Sequence, residues 1–525
     1  MRMLPDMVRP ATARPASLAI PLLASCLLVT PALAQRAPSP ADSALLARIL
    51  LAEDRRDSAS AAFQEGARYP DERIQLIARR AAARVRDPGF AARDSMPAPA
   101  APPAYPDPAW RLRFRALAAA RNDCAALRSA LADSAWPVRL RAADLAGPSC
   151  AGDSVLVRTL RAWAAAPPTR GARTRGGVSW HPAAHAFVAL ARIAPADARA
   201  LLPAAVASAV PWLRAYAARA GGALADTAAL RRLATDADDN VKEAALDALS
   251  RVAGHATDDV YLAALSARGY QAVRAAAHAL RGSPRGRDVV DAALAAALRL
   301  RRDSSETSRD ARTALLERIG EFATATNGAA VAGLTADFDC DVALAAAEIA
   351  ARLGALTEPS CSPLPIALPP DAVALALGRE VRLRLTLADS SGGGAFTVRL
   401  RGDVAPIMAA RVLALARAGW YDGLTWHRVE PDFVLQGGGT GANEYLGHPR
   451  FIRDELGALA HQRGTVGMST RGHDTGDAQW FVNLRDNPRL RGDYTVFAEV
   501  VEGIEVVDGV LEGDVIASIA VVVGG

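Results

Sequence analysis

Two hydrophobic rhythms follow one another along the chain, and the change between them divides it. Up to about residue 356 the apolar positions recur at helical spacing. Between Ala41 and Val85, Leu45, Leu46, Ile49 and Leu50 form one stripe, and Ile74, Leu76 and Ile77 form another. From residue 380 the period drops to two: Glu380-Val381-Arg382-Leu383-Arg384-Leu385-Thr386-Leu387 alternates as a half-buried strand does. Ser390 to Gly394 then reads as a hairpin loop and Phe396 to Leu400 as the return strand. Pro406 to Ala418 reads as a helix, with proline early, where its missing N–H does no harm. Short strands separated by glycine turns continue to the C-terminus. Residues 378–525 are therefore expected to be a β-rich domain, closed into a barrel, with at least one packed helix.

The helical part repeats itself. Trp136-Pro137-Val138-Arg139-Leu140-Arg141-Ala142-Ala143 has counterparts at Asp239–Leu249, Gln271–Leu280 and Cys340–Ala347, with weaker copies from Pro182, Pro211 and Arg309. Val241 and Val273 lie 32 residues apart, and Ala311 and Val342 lie 31 apart. A period in the low thirties with two helices per unit is an α-solenoid pattern. In each unit a polar or proline turn starts the second helix. An apolar residue then plugs the neighbouring unit, and Ala-Ala allows close helix approach. This resembles HEAT repeats over residues 109–356; an irregular Ala-rich bundle would share much of the pattern. Residues 35–108 are assigned to a helical segment followed by a linker, since Asp87 to Pro108 holds seven prolines. Residues 357–377, with Pro359, Pro363, Pro365, Pro369 and Pro370, read as a second stiff linker. Pro167 to Gly177, with three arginines and three glycines, interrupts the repeats as a structureless insertion or a contact for an acidic partner.

Composition adds limits. A chain of 525 residues is long for one core. Its net charge of +5 comes from 61 basic against 56 acidic residues, well mixed, so a nucleic-acid partner is not indicated. Arg2, Arg9 and Arg14 precede an apolar run from Ala16 to Val29, and Ala32-Leu33-Ala34 supplies small residues, the layout of a secretory signal over residues 1–34. Leu23-Ala24-Ser25-Cys26 is similar to a bacterial lipobox, so a lipid anchor at Cys26 is a second reading and an uncleaved anchor a third. No later segment is long and uncharged enough to span a membrane. The expected location is outside the cytoplasm, periplasmic or extracellular, with or without an anchor. Export leaves Cys124, Cys150, Cys340 and Cys361, an even number in a compartment that permits disulfides. The local pairs Cys124–Cys150 and Cys340–Cys361 are one reading; buried free thiols are the other.

The densest chemistry lies in Trp426-His427-Arg428-Val429-Glu430-Pro431-Asp432-Phe433-Val434-Leu435-Gln436-Gly437-Gly438. Arg428 and Gln436 flank Phe433 and can present hydrogen-bond donors around an apolar patch, the makings of a groove wall. His427, His448, His461 and His473 lack ligand-like spacing, and Gly437 to Gly441 is not followed by Gly-Lys-Ser/Thr, so neither a metal nor a phosphate loop is indicated. No cofactor is expected.

Gly419 to Val429 runs directly into Pro431 to Gly438. Gly464-Thr465-Val466-Gly467-Met468-Ser469, Ala478-Gln479-Trp480-Phe481-Val482 and Tyr494-Thr495-Val496-Phe497 follow in order. Together these resemble a cyclophilin-type peptidyl-prolyl isomerase of the bacterial style, over residues 378–525. The resemblance implies catalytic roles for Arg428, Phe433, Gln436 and Phe481. It implies substrate contacts from Met468, Ser469, Thr470, Gln479, Leu490 and Tyr494. The chain departs from the family pattern at Val434, Gly439, Trp480 and Arg489; the last, in place of an aromatic, argues against strong cyclosporin binding. The expectation is a multidomain protein: a HEAT-like solenoid that grips a client or partner protein, then a barrel that isomerises X-Pro bonds in exported proteins. A non-catalytic scaffold that only binds proline-containing segments is the alternative.

Overall fold

The computed structural model describes residues 38–86, 100–166, 180–457 and 459–523. The segment expected to be a secretory signal, with Cys26, most of the first proline-rich stretch and the Pro167–Gly177 insertion lie outside the described residues. Residues 40–525 fall in one compact unit.

This unit opens with α1 (Pro40–Asp54), α2 (Ala61–Ala67) and α3 (Glu72–Arg86). Next come α4 (Ala109–Ala119), α5 (Cys124–Ala130), α6 (Trp136–Leu145), α7 (Ser154–Ala165), α8 (Trp180–Ile193), α9 (Pro195–Val206), α10 (Pro211–Ala223) and α11 (Thr227–Leu233). The series continues with α12 (Asp239–Val252), α13 (Asp258–Ala264), α14 (Tyr270–Ala279), α15 (Gly286–Arg302), α16 (Arg309–Phe322), α17 (Gly328–Ala332) and α18 (Cys340–Arg352). From α4 onward the even-numbered helices pack each on the next, in an unbroken row to α18. Helices α5, α7, α9 and α11 form a second row beside it. Aspartates set several helix starts: Asp123, Asp153, Asp226, Asp238 and Asp339 accept first-turn N–H groups of α5, α7, α11, α12 and α18. The small residues let helices close in, since a Cβ at Gly222 on α10 would stand 3.1 Å from Ala248 Cβ on α12. Disulfides join Cys124 to Cys150 and Cys340 to Cys361. The second tie accompanies a short parallel pair, β1 (Ala336–Asp337) with β2 (Ser360–Cys361).

The C-terminal part holds α19 (Ala372–Ala376), β3 (Val381–Leu387), β4 (Ala395–Leu400), α20 (Pro406–Arg417), β5 (Arg428–Val429) and β6 (Val434–Gly437). It ends with β7 (Thr465–Met468), β8 (Trp480–Asn483), β9 (Val496–Glu502), α21 (Ile504–Asp508) and β10 (Ile516–Val523). The strands form one antiparallel sheet in the order β10-β3-β4-β9-β7-β8-β6-β5. The expected closed barrel is corrected to a curled sheet with two ends. Its ends approach along Gly423–Trp426 and Gly513–Ile516, where a bridge at Thr425 and Val515 and four backbone hydrogen bonds replace a regular ladder. Glycines and a turn there interrupt the strand pairing that closure requires.

The N-terminal helical segment and part of the stretch read as the second linker both pack on the sheet. The helices of residues 40–86 do not join the helical rows: Leu45, Leu46, Ile49, Leu50, Ile74 and Ile77 share one core with the sheet, α19 and α20. Leu76 faces outward at 38% exposure, because only Ile74 and Ile77 fall on the buried side of α3. The stretch read as the second linker contains α19, whose Ala372 and Leu375 are fully buried. Residues 100–108 lie against the sheet, with Tyr105 donating to the Val500 carbonyl at 3.0 Å and Arg401 to that of Ala100 at 3.0 Å.

The most demanding joint is Arg84 on α3. Its guanidinium is buried and bonds Glu53 at 3.0 Å, the Leu456 carbonyl at 2.6 Å and the Val404 carbonyl at 2.8 Å. Arg84→Met leaves a buried carboxylate without its counter-charge and is expected to cost about 3–5 kcal/mol. Chemical unfolding of the full chain measures it; an unchanged midpoint would show that Glu53 is compensated otherwise.

Candidate functional site

Strand register builds the site. Arg428 on β5 stands opposite Gln436 on β6, Gln436 opposite Phe481 on β8, and Phe481 opposite Gly467 on β7. Directly opposed residues share a face of the sheet, so these positions form one row across four strands. The fourth place must be empty: a Cβ at Gly467 would lie 2.5 Å from Phe481 Cζ. Glycine lets the Phe481 ring lie down on the sheet.

Around that ring, Val434, Leu490, Phe433 and Tyr494 form a small apolar cluster separate from the domain core. Tyr494 meets Phe481 edge-on with centroids 5.6 Å apart, and His461 stacks behind it at 5.9 Å. His461 is buried, and burial pushes its pKa down. Its ring is fixed between the Tyr494 carbonyl at 3.0 Å and Asn483 Nδ2 at 3.2 Å. Phe433 comes from the turn before β6, which is pinned by Phe433 N–H to the Glu430 carbonyl and Asn487 Nδ2 to the Phe433 carbonyl.

The polar side of the groove is equally ordered. Gln436 is buried; its Nε2 donates to Ser469 Oγ at 2.9 Å and its Oε1 accepts from Arg428 at 3.3 Å. Arg428 is bound by Glu430 at 2.8 Å and Glu444 at 2.9 Å, and its guanidinium carbon stands 5.9 Å from the Phe433 ring centre. Gln479 is buried and donates to the Glu444 carbonyl at 3.2 Å, a carbonyl that Arg471 also reaches. Thr470 sits half-buried beside Ser469.

Thus Phe433, Phe481, Leu490 and Tyr494 meet in one cluster, with Arg428, Gln436 and Ser469 joined along its edge. Met468 does not join them. It is fully buried in the domain core, where a Cβ at Gly476 would come within 2.9 Å of its Cγ, because adjacent strand residues point to opposite faces. Sequence reasoning missed Glu430 and Glu444 as partners of Arg428, although Glu430 at the second position beyond a strand arginine was a usable signal. It also missed Arg489 as the lid of Phe433, 4.3 Å above the ring centre.

The helices complete the surroundings. A cavity of about 460 Å³ separates Phe114, Leu140, His185 and Tyr216 from the Val429–Phe433 turn. Another of about 560 Å³ lies between α10, α12 and the edge carrying His427, Arg428 and Glu444. Within the second, His427 is 7% exposed and its pKa is lowered to about 4, first by burial and then by Arg428.

Residues 384–519 match the family model described as cyclophilin type peptidyl-prolyl cis-trans isomerase/CLD. "Peptidyl-prolyl cis-trans isomerase B" of Bacillus subtilis is 37% identical over 132 residues, which cover 25% of this chain and 92% of that protein. "Peptidyl-prolyl cis-trans isomerase-like 2" of Cryptococcus neoformans is 39% identical over 122 residues, 22% of this chain; the chain spans only 21% of that relative's length. A crystal structure of a Cryptosporidium parvum cyclophilin type isomerase is 22% identical, covering 28% of this chain and 99% of that one, with a TM-score of 0.25.

His427 is expected to stay neutral from pH 8 down to about 5, with its NMR resonance moving only near pH 4. The unfolded chain takes up this proton near pH 6.5, so folded stability is lost as the pH falls from there through about 4. A titration midpoint near 6.5 would contradict the burial described.

Proposed function

We infer that this chain, which belongs to the cyclophilin-type peptidyl-prolyl cis-trans isomerase family, catalyses rotation about X-Pro bonds of polypeptide clients. The observation that carries this reading is the cross-strand row of Arg428, Gln436 and Phe481 beside the apolar cluster of Phe433, Leu490 and Tyr494. An amide bond resists rotation by about 18–20 kcal/mol because resonance is lost on twisting. For X-Pro both isomers are populated, so substrate exists in either state. Rotation needs no nucleophile. The apolar cluster grips the proline ring, Gln436 holds the adjoining backbone, and Arg428 donates to the nitrogen as it becomes pyramidal and accepts hydrogen bonds. A planar guanidinium fixed in advance suits that task, and its effect grows where water is excluded.

The proposal extends to the rest of the chain. The two helical rows are read as a HEAT-like solenoid that holds a client or partner against the groove. Its support is the repeat spacing and the unbroken packing of even-numbered helices. Export to a periplasmic or extracellular location, by signal cleavage or with a lipid anchor at Cys26, is supported by the N-terminal residue pattern and by both disulfides. One observation favours a second reading, a proline-binding scaffold without turnover: Glu430 and Glu444 already occupy Arg428.

Arg428→Ala separates the two. Exchange NMR on an X-Pro peptide is expected to show kcat/KM reduced by about 10²–10³-fold, the usual scale for losing one transition-state donor. Arg428→Lys keeps the charge but not the planar fork and is expected to recover only part of it. Equal rates for wild type and Arg428→Ala would leave the scaffold.

A further inference from the structure

The donors of Arg428 are not all committed. A guanidinium carries five N–H hydrogens in one plane. Nε donates to Glu430 at 2.8 Å and Nη2 to the same oxygen at 2.5 Å. Nη1 donates to Gln436 at 3.3 Å and to Glu444 at 2.9 Å. Among the described residues the remaining hydrogen, on Nη2, meets no acceptor. The acceptors thus fix the plane of the group and leave one donor for the prolyl nitrogen. A donor that must act in a set direction gains from being held there beforehand. Glu430 and Gln436 belong to the sheet edge itself, one just after β5 and the other paired with Arg428 on β6. Glu444 does not.

Glu444 stands in the loop between β6 and β7, and helices set its place. Asn240, in the first turn of α12, donates to the Gly441 carbonyl at 2.9 Å. Its own carbonyl accepts from Asn443 at 3.2 Å and from Gln271 of α14 at 3.1 Å. Asn443 closes the turn, donating to the Gly441 carbonyl at 2.8 Å and accepting the N–H groups of Tyr445 and Leu446 at 2.8 and 3.0 Å. The backbone gives an independent sign. Ala442, between the two residues that Asn240 holds, has a φ of 52°, a left-handed conformation that a residue with a Cβ seldom adopts. Such a conformation persists where its surroundings over-determine it. On the far side, the Glu444 carbonyl is held by Gln479 at 3.2 Å and by Arg471. An ion pair this exposed is ordinarily worth little, because both side chains are free to move. Here the carboxylate is delivered from a backbone fixed on both sides.

We propose that Glu444 is a positioning residue for Arg428, and that Asn240 positions Glu444 in turn. By holding Nη1, Glu444 sets the direction in which the free Nη2 hydrogen points. Turnover at the groove then depends on α12, a helix of the row that the isomerisation chemistry itself does not touch. The inference rests on the reading of Arg428 as the donor to the twisted prolyl nitrogen.

The test uses the full chain, with exchange NMR on an X-Pro peptide over a range of concentrations to separate kcat from KM. Because the Glu444 side chain is 40% exposed, truncating it leaves the fold standing. Glu444→Ala is expected to lower kcat about tenfold with KM within about twofold, the pattern of a contact that matters in the transition state. Glu444→Gln keeps an acceptor at the same reach and is expected to return kcat to within about threefold of wild type. Asn240→Ala is expected to lower kcat at least about threefold alone and to add nothing in Glu444→Ala, since both act through one contact. Additive losses, a raised KM with kcat kept, or either single variant at or above the wild-type kcat would overturn the proposal. A second measurement does not need turnover. The Nη protons of Arg428, identified by their loss in Arg428→Lys, are expected to be separately resolved in the wild type. In Glu444→Ala and Asn240→Ala faster rotation is expected to merge them. A wild type without turnover whose resonances respond in this way would remove the isomerase reading and keep the positioning of Arg428. Turnover with resonances unaltered in both variants would do the reverse.

Discussion

One buried guanidinium fixes the relation between the helices and the groove. Arg111 on α4 is fully buried and bonds the Pro431 carbonyl, Asp107 and Asp508, each at 2.9 Å. Pro431 lies between Arg428 and Phe433, so this bond sets the turn that joins them. Asp508 is shared with Arg463 at 2.6 Å, which ties in α21 and the approach to β7. Arg115, one turn further along α4, holds Asp432 at 2.7 Å. A buried charge left without its partner costs several kcal/mol, so helix, turn and sheet edge act as one body. The groove is therefore shaped partly by residues some three hundred positions away.

The same dependence recurs along the row of even-numbered helices. Asn240 on α12 donates to the Gly441 carbonyl at 2.9 Å, and Arg274 on α14 stands over the Tyr445 ring at 5.1 Å. Glu306 accepts the Phe451 N–H at 2.7 Å, and Arg471 pairs with Asp310 at 2.7 Å. The first three contacts land in or beside the loop from Gly439 to Arg450, and Arg471 reaches it through the Glu444 carbonyl. That loop supplies Glu444, the partner of Arg428. Its composition makes sense as an interface: small residues at the turns, then Tyr445 and Leu446 packed against the helical core.

Legibility in the sequence followed distance along the chain. The period-two run of β3, the proline-started α20 and the repeat of α12 and α14 are local patterns, and the elements fall where those patterns place them. Arg428, Gln436 and Phe481 could be picked out from ordered motifs, but their arrangement in one row is a property of register, which no single segment carries. Met468 shows the limit: a residue one place from Gly467 points to the opposite face, and only the pairing decides which face is the groove. Glu444 and Arg489 were invisible as partners because long-range packing brings them to Arg428 and Phe433. The partner of α1–α3 was hidden for the same reason, since a helical stripe records that a face is buried and not what buries it.

That docking of α1–α3 bears on the order in which the protein can assemble. Arg84 closes on the carbonyls of Val404 and Leu456, 320 and 372 residues later in the chain. Every helix of the two rows is translated before those acceptors exist. Contacts between such distant positions form late, because chain closure must be accomplished before they contribute. The apolar stripes of α1 and α3 thus stay without their native partner through most of synthesis, a period in which exposed hydrophobic surface invites association with other chains. The protein's own N-terminal helices are, for that interval, a client in need of shelter.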